Sequence, residues 1–209
     1  MGCRSRDRAG PHYRPVMSRL PELRRDQLTP DALAVRDAVV GTRGDRLETP
    51  GGGLAGPFNA FLYAPALGGK LAQLGATLRY GTSVDRRLTE VAIITVGARW
   101  KAEFEWWAHA RMAARHGVPE EVIDAIGRGA EPPFAAEDER VVYVIARSLA
   151  TDGGVPESAY ESGRVLLGDT GMVELVTLCG YYTLISFLLN AFDVQLPEGT
   201  APQWGPAPG

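Results

Sequence analysis

From residue 64 to residue 117 the apolar positions recur every three or four residues, through "APALGGKLAQLGATLRYG", "VDRRLTEVAIITVGARW" and "KAEFEWWAHARMAARHG". That spacing predicts three consecutive helices, and no stretch of the chain shows the period-two alternation of a half-buried strand. Gly81 and Thr82 separate the first two, and Thr82-Ser-Val-Asp85 has the form of a capping box in which Thr82 offers an oxygen to an unpaired amide. Gly117 and Pro119 stop one helix and restart the next, with Glu120 and Glu121 favourable at its positive end.

An earlier helix opens at Pro30 and Asp31 and is expected to close at Gly41 through a left-handed cap. The glycine- and proline-rich stretch 44 to 57, "GDRLETPGGGLAGP", then reads as a flexible connector, since no GxxxxGK[ST] pattern surrounds its three adjacent glycines. Further helices are expected over 136 to 150, 156 to 167 and 170 to 192. The fold class is therefore all-α. Residues 17 to 196 form the expected single helical domain, between a disordered arginine-rich leader (1 to 16) and a flexible Pro/Gly-rich tail (197 to 209). "MSRLPELRR", from Met17, reads like a more natural start than Met1.

Composition sharpens this picture. A chain of 209 residues that is 45% hydrophobic and 22% charged can bury a core without metal or disulfide staples. Its two cysteines, Cys3 and Cys179, do not make a disulfide framework, and a reducing, cytoplasmic compartment fits. The net charge of -3 argues against a nucleic-acid binder, although residues 1 to 25 carry seven arginines against Asp7 and Glu22. No apolar stretch follows those arginines as a secretory signal would require, and the opening Met-Gly-Cys lacks the Ser or Thr that myristoylation wants where Arg6 stands. Residues 172 to 192 are long enough to cross a bilayer, but Thr177, Gly180, Thr183, Ser186 and Asn190 dilute the run and Asp169 and Asp193 flank it. A buried central helix is expected there instead of a membrane span.

The candidate chemistry lies in the second and third of the opening helices. Glu90 sits in a segment apolar on nearly every side, so it is either a buried carboxylate with a partner or a raised pKa, or a solvent-facing residue near the helix start. Glu105 and His109 are four residues apart and share a face, which makes them either a proton relay or a surface ion pair. Trp106 and Trp107 beside them suit an apolar-walled pocket or plain core. His116 stands in the last turn before Gly117, where it favours the carbonyl end of its helix. With neither HExxH nor ExxH present, no metal site is expected.

The stretch Thr89 to Ala125, "TEVAIITVGARWKAEFEWWAHARMAARHGVPEEVIDA", resembles the core repeat of the carboxymuconolactone decarboxylase and AhpD-like alkylhydroperoxidase superfamily, and "GPFNAFLYAPALG" resembles the segment that precedes it. The resemblance implies an AhpD-like helical bundle. In the peroxidase branch the second helix carries CxxCxxxH, with a glutamate on the preceding helix. Alignment on Glu90 and His109 puts Ala102 and Glu105 at the cysteine positions, which points away from a thiol hydroperoxide reductase. The decarboxylase branch instead implies cofactor-free acid-base chemistry on a small lactone or unsaturated acid. It gives His109 as proton donor or acceptor, Glu105 as its orienting group and Glu90 as a second acid. Trp106, Phe58, Asn59 and Asn190 would then be substrate-binding positions. The resemblance further implies a homo-oligomer, a trimer or hexamer, with a small-molecule substrate and no nucleic-acid or membrane partner. A non-catalytic helical oligomer that binds a ligand or partner is the remaining alternative.

Overall fold

A computed structural model describes residues 18–205. The leader at 1 to 16, Cys3 and the last four residues of the tail lie outside the described residues. Within them the chain forms eight helices and no strand: α1 (Pro30–Arg43), α2 (Pro57–Tyr63), α3 (Pro65–Tyr80), α4 (Arg86–Arg99), α5 (Glu103–Arg115), α6 (Glu120–Arg128), α7 (Glu137–Asp152) and α8 (Glu157–Ala191).

The local signals that start and stop these helices differ in detail from those expected. α1 runs through Gly41 and ends at Gly44, whose φ of 83° takes the chain out of the helix. Thr29, not a residue inside the helix, caps its start by accepting from the Ala32 amide. α4 is capped by Asp85, whose carboxylate accepts from the Arg87 amide, while the Thr82 hydroxyl turns back to the Leu78 carbonyl. The capping box expected at Thr82 therefore does not form. α2 is an extra short helix within the segment that precedes α3. The glycine-rich connector is also better tied than expected. Buried Arg36 donates to the Gly52 carbonyl and pairs with Glu48, and Leu54 is packed in the core.

α4 is the central element, with every residue from Leu88 to Gly97 buried and α5, α6, α7 and α8 packed around it. A helix surrounded in this way is apolar on nearly every side, as its sequence is. α8 is interrupted at Gly168, where φ 68° and ψ 177° are not helical and are open essentially to glycine alone. The break separates an amphipathic first part from the apolar run that packs on α4 and α7. Among the described residues α8 is the one helix long and apolar enough to cross a membrane, and half of its most apolar stretch is buried inside this fold.

Both ends of the described chain are fastened to the bundle. The Arg19 amide donates to the Phe192 carbonyl, and Asn59 bonds the Leu23 amide and the Pro21 carbonyl, each at 3.0 Å. The tail, expected to be flexible from residue 197, is held as far as residue 205. Glu103 accepts from the amides of Gln203 and Trp204, and the Trp204 indole donates to the Gly127 carbonyl at 2.8 Å and packs edge-on to Trp106.

Candidate active site

α4 and α5 are joined by only three residues, Trp100 to Ala102, with Lys101 at φ 49° making the reversal. So short a link folds α5 back along α4 and brings Glu90, near the start of the first helix, against His109, in the middle of the second. Glu105 lies one turn before His109 on the same face of α5. The three side chains are 0%, 4% and 4% exposed for Glu90, Glu105 and His109.

The imidazole stands between the two carboxylates. Its Nδ1 is 2.6 Å from Glu90 Oε2, in hydrogen-bond geometry. Its Nε2 is 3.0 Å from Glu105 Oε1, off the N–H axis, so that this contact is an ion pair and Oε1 keeps no aligned donor. Glu90 Oε1 lies 2.8 Å from Arg86 Nη2, one turn back on α4, again as a charge contact more than an aligned hydrogen bond. Tyr182, from α8, meets the imidazole edge-on at 5.1 Å.

Only one protonation state makes both ring contacts attractive. A neutral imidazole has one donor and one acceptor, and the acceptor nitrogen would face a carboxylate lone pair. Burial by itself lowers the pKa of His109, but the charges of Glu105 and Glu90 and the hydrogen bonding to them outweigh it, and the net direction is upward from 6.5. For Glu90, burial would raise the pKa, yet His109, Arg86 and Arg79 together hold it below its ordinary 4.5. Both shifts thus favour an imidazolium on His109 against an ionised Glu90. Burial drives the Tyr182 phenol well above its ordinary range, so it stays neutral.

His109 and Glu105 open onto a cavity of about 380 Å³, whose apolar walls include Phe58, Phe104, Trp107 and Ile185. That volume suits a small organic molecule. The buried Trp107 indole N–H has no partner among the described residues. Glu90 does not line the cavity and touches it only through His109.

The structure therefore brings Glu90, Glu105 and His109 together but redistributes their parts. Glu90, held ionised behind the ring, fixes Nδ1, and Glu105 faces the cavity beside Nε2. Phe58 is a wall. Trp106 is not, because the helical turn points it toward Trp204 and Gly127, and its neighbour Trp107 lines the cavity instead. Asn59 is occupied in pinning residues 21 to 23, and exposed Asn190 donates to the Trp100 carbonyl, so neither lines the cavity. His116 caps the exposed end of α5, and Cys179 is buried away from the cavity, its thiol pushed up to about 12 by burial.

Sequence reasoning missed Arg86, Tyr182, Arg43 and Arg79, and named Trp107 only beside Trp106 as pocket wall or core. Arg86 was visible as the residue four before Glu90. Arg43 and Arg79 stand in the last turns of α1 and α3, where a cation ordinarily just complements the helix dipole.

No family model matches the sequence, and no curated protein matches it. Solved structures do. A protein of unknown function from Agrobacterium tumefaciens, whose suggested role is antioxidant defence as an AhpD, superposes with a TM-score of 0.60 at 18% identity, over 66% of this chain and 96% of that one. The chain has an AhpD-like fold. The debrominase Bmp8, in its apo form, superposes on the same AhpD-like bundle with a TM-score of 0.66 at 13% identity, over 85% of this chain and 91% of that one. An uncharacterized peroxidase-related protein from Silicibacter sp. TM1040 gives 0.65 at 12% identity, with the same coverage. Identities this low establish the AhpD-like architecture and leave the chemistry to the site itself.

Proposed function

We propose that this chain is an acid-base enzyme of lyase or isomerase type, which decarboxylates or relocates a proton within a small lactone or unsaturated acid. The observation that carries the reading is the buried imidazole of His109, held by Glu90 on one side and set beside Glu105 at a cavity wall on the other. In decarboxylation a carbon–carbon bond breaks, carbon dioxide leaves, and the electron pair stays in the conjugated system of the substrate. His109 Nε2–H would supply the proton that quenches it, and Glu90 would stabilise the charge on the ring before that transfer. In isomerisation Glu105 would take a proton from one carbon and His109 would return one at another, so that no net proton is consumed. These steps need only groups that move protons, and no cofactor is invoked for them.

A thiol route to hydroperoxide reduction, the other activity the fold brings to mind, finds no support at the cavity. Ala102 and Glu105 stand where that chemistry would need sulfur, and Cys179 is buried elsewhere with its thiol pushed up to about 12. The same reading places the chain in the cytoplasm as a homo-oligomer, a proposal supported by exposed Val173, Val176, Leu184 and Phe187 on α8. Sedimentation equilibrium tests the assembly, and a monomer at micromolar concentration would reject it.

The test of the chemistry is His109→Gln, assayed by carbon dioxide release and ultraviolet absorbance on a panel of unsaturated and lactone acids. Turnover should fall by about 10²–10⁴-fold with the circular dichroism spectrum unchanged. Turnover retained in that variant would reject the assignment.

A further inference from the structure

The cavity has a second chemical feature, in the walls that α1, α3 and α5 contribute. Four arginines line it: Arg43, Arg79, Arg111 and Arg115. None of them has a carboxylate within ion-pair distance among the described residues. Arg24, Arg36, Arg86, Arg87 and Arg140, by contrast, all do. In a chain with a net charge of -3, acidic partners are not scarce.

Arg111 and Arg115 are exposed and solvated, so their isolation is ordinary. Arg43 and Arg79 differ. Arg43 is 9% exposed, with its guanidinium 4.9 Å over the Phe58 ring. Arg79 is half-buried, its Nε enclosed without a partner and its Nη2 3.4 Å from Met112 Sδ. Gly75 makes room for this arrangement. A Cβ there would fall 2.2 Å from the Tyr181 hydroxyl and 2.9 Å from Arg43 Nη2. Tyr181 in turn donates to the Leu71 carbonyl, which holds the wall behind the guanidinium.

A charge taken out of water is unfavourable unless an opposite charge meets it, and two cations near each other compound that. The burden shows on Arg43, whose pKa is lowered by burial and by the neighbouring charge of Arg79. Aromatic stacking compensates only in part. A ligand oxyanion would complete the pairing, and a planar guanidinium offers a carboxylate two parallel donors.

From the enclosed guanidiniums of Arg43 and Arg79, neither in ion-pair contact with a carboxylate of the described residues, beside the aromatic walls of the cavity, we infer that this pair is the recognition site for the carboxylate of an unsaturated or aromatic acid. Glu105 in the same lining disfavours an anion beside His109, which leaves the two guanidiniums as the place for the carboxylate. The ligand's charged end meets the arginines, and its uncharged conjugated end meets His109. The inference takes its reacting end from the acid-base reading above, but the anion site is separable from turnover.

The experiment is isothermal titration of the full chain, at low salt, with trans-cinnamate and with its uncharged analogue trans-cinnamamide. Cinnamate should bind at least tenfold more tightly than the amide. Arg43→Gln and Arg79→Gln should each remove most of that preference while changing amide affinity less than twofold. Arg43→Lys, which keeps the charge and loses the planar fork, should fall between. His109→Gln should keep the preference for cinnamate over the amide, so that loss of turnover and loss of anion recognition are read separately. Equal binding of acid and amide, failure of both to bind at millimolar concentration, or a preference that survives both glutamine substitutions would overturn the inference. Inorganic phosphate that displaces cinnamate at equal concentration would overturn the assignment to a carboxylic acid.

Discussion

Replacing Glu90 by glutamine keeps the shape of the side chain and deletes the charge behind His109. The consequence follows from burial: with the fully enclosed carboxylate 2.6 Å from Nδ1 and 2.8 Å from Arg86 gone, Arg86 loses its ion pair and His109 keeps only Glu105. Breaking a buried pair by removing one partner costs about 3 kcal/mol or more. With a urea dependence of about 2 kcal/mol per molar, the unfolding midpoint should drop by roughly 1.5 M. The pH dependence identifies the cause. Glu90 has a pKa lowered from 4.5, so its contribution is present above that pH and is lost as pH falls through the lowered value. His109 has a pKa raised from 6.5, so its contribution is complete below 6.5 and is lost as pH rises through the raised value. The gap between the chain and its Glu90→Gln variant should therefore be widest between pH 4.5 and 6.5 and narrow in alkali. Urea unfolding followed by circular dichroism at pH 5.5 and again at pH 10 measures both. A gap below about 1 kcal/mol at pH 5.5, or one equally large at both pH values, would refute the charge-pair reasoning.

Two further predictions concern other parts of the fold. In a Cys3→Ala background, Cys179, buried and with its thiol pushed up to about 12, should react with an aromatic disulfide at pH 8 at least a hundredfold more slowly in the native chain than in urea; equal rates would show that α8 does not shelter it. At Gly168 a Cβ would meet nothing within 4 Å, so Gly168→Ala should destabilise through backbone strain alone, by about 1–3 kcal/mol in urea unfolding. An unchanged midpoint would mean that the break in α8 is not enforced.

What the sequence disclosed and what it withheld divide along a physical line. The helices were legible where apolar spacing and punctuation agreed, as at Gly117 and Pro119. Caps were misplaced where two polar residues competed for one helix start, as Thr82 and Asp85 did. Spacing of four placed Glu105 beside His109 from sequence alone. That Glu90 faces the same ring depends on how tightly Trp100 to Ala102 turn the chain, which no periodicity reports. The cavity walls were the least legible part. Trp106 and Trp107 are adjacent, and a rotation of one residue on the helix decides which of them is core and which is wall. Arg43 and Arg79 come from helices that precede the recognisable core, and only tertiary packing shows that, among the described residues, no carboxylate lies within ion-pair distance of them. Asn59 and Asn190 were drawn in as polar residues beside apolar runs, but each satisfies the backbone of a neighbouring segment.

The central claim is that His109 is an imidazolium at neutral pH, clamped between two carboxylates at the cavity wall. Long-range nitrogen-15 correlation spectra of the histidine side chains, with His109 assigned by its glutamine variant, measure this at pH 7.5. The account predicts that both ring nitrogens of His109 are protonated there, with a titration raised from 6.5. A neutral ring with one bare nitrogen at that pH would contradict it.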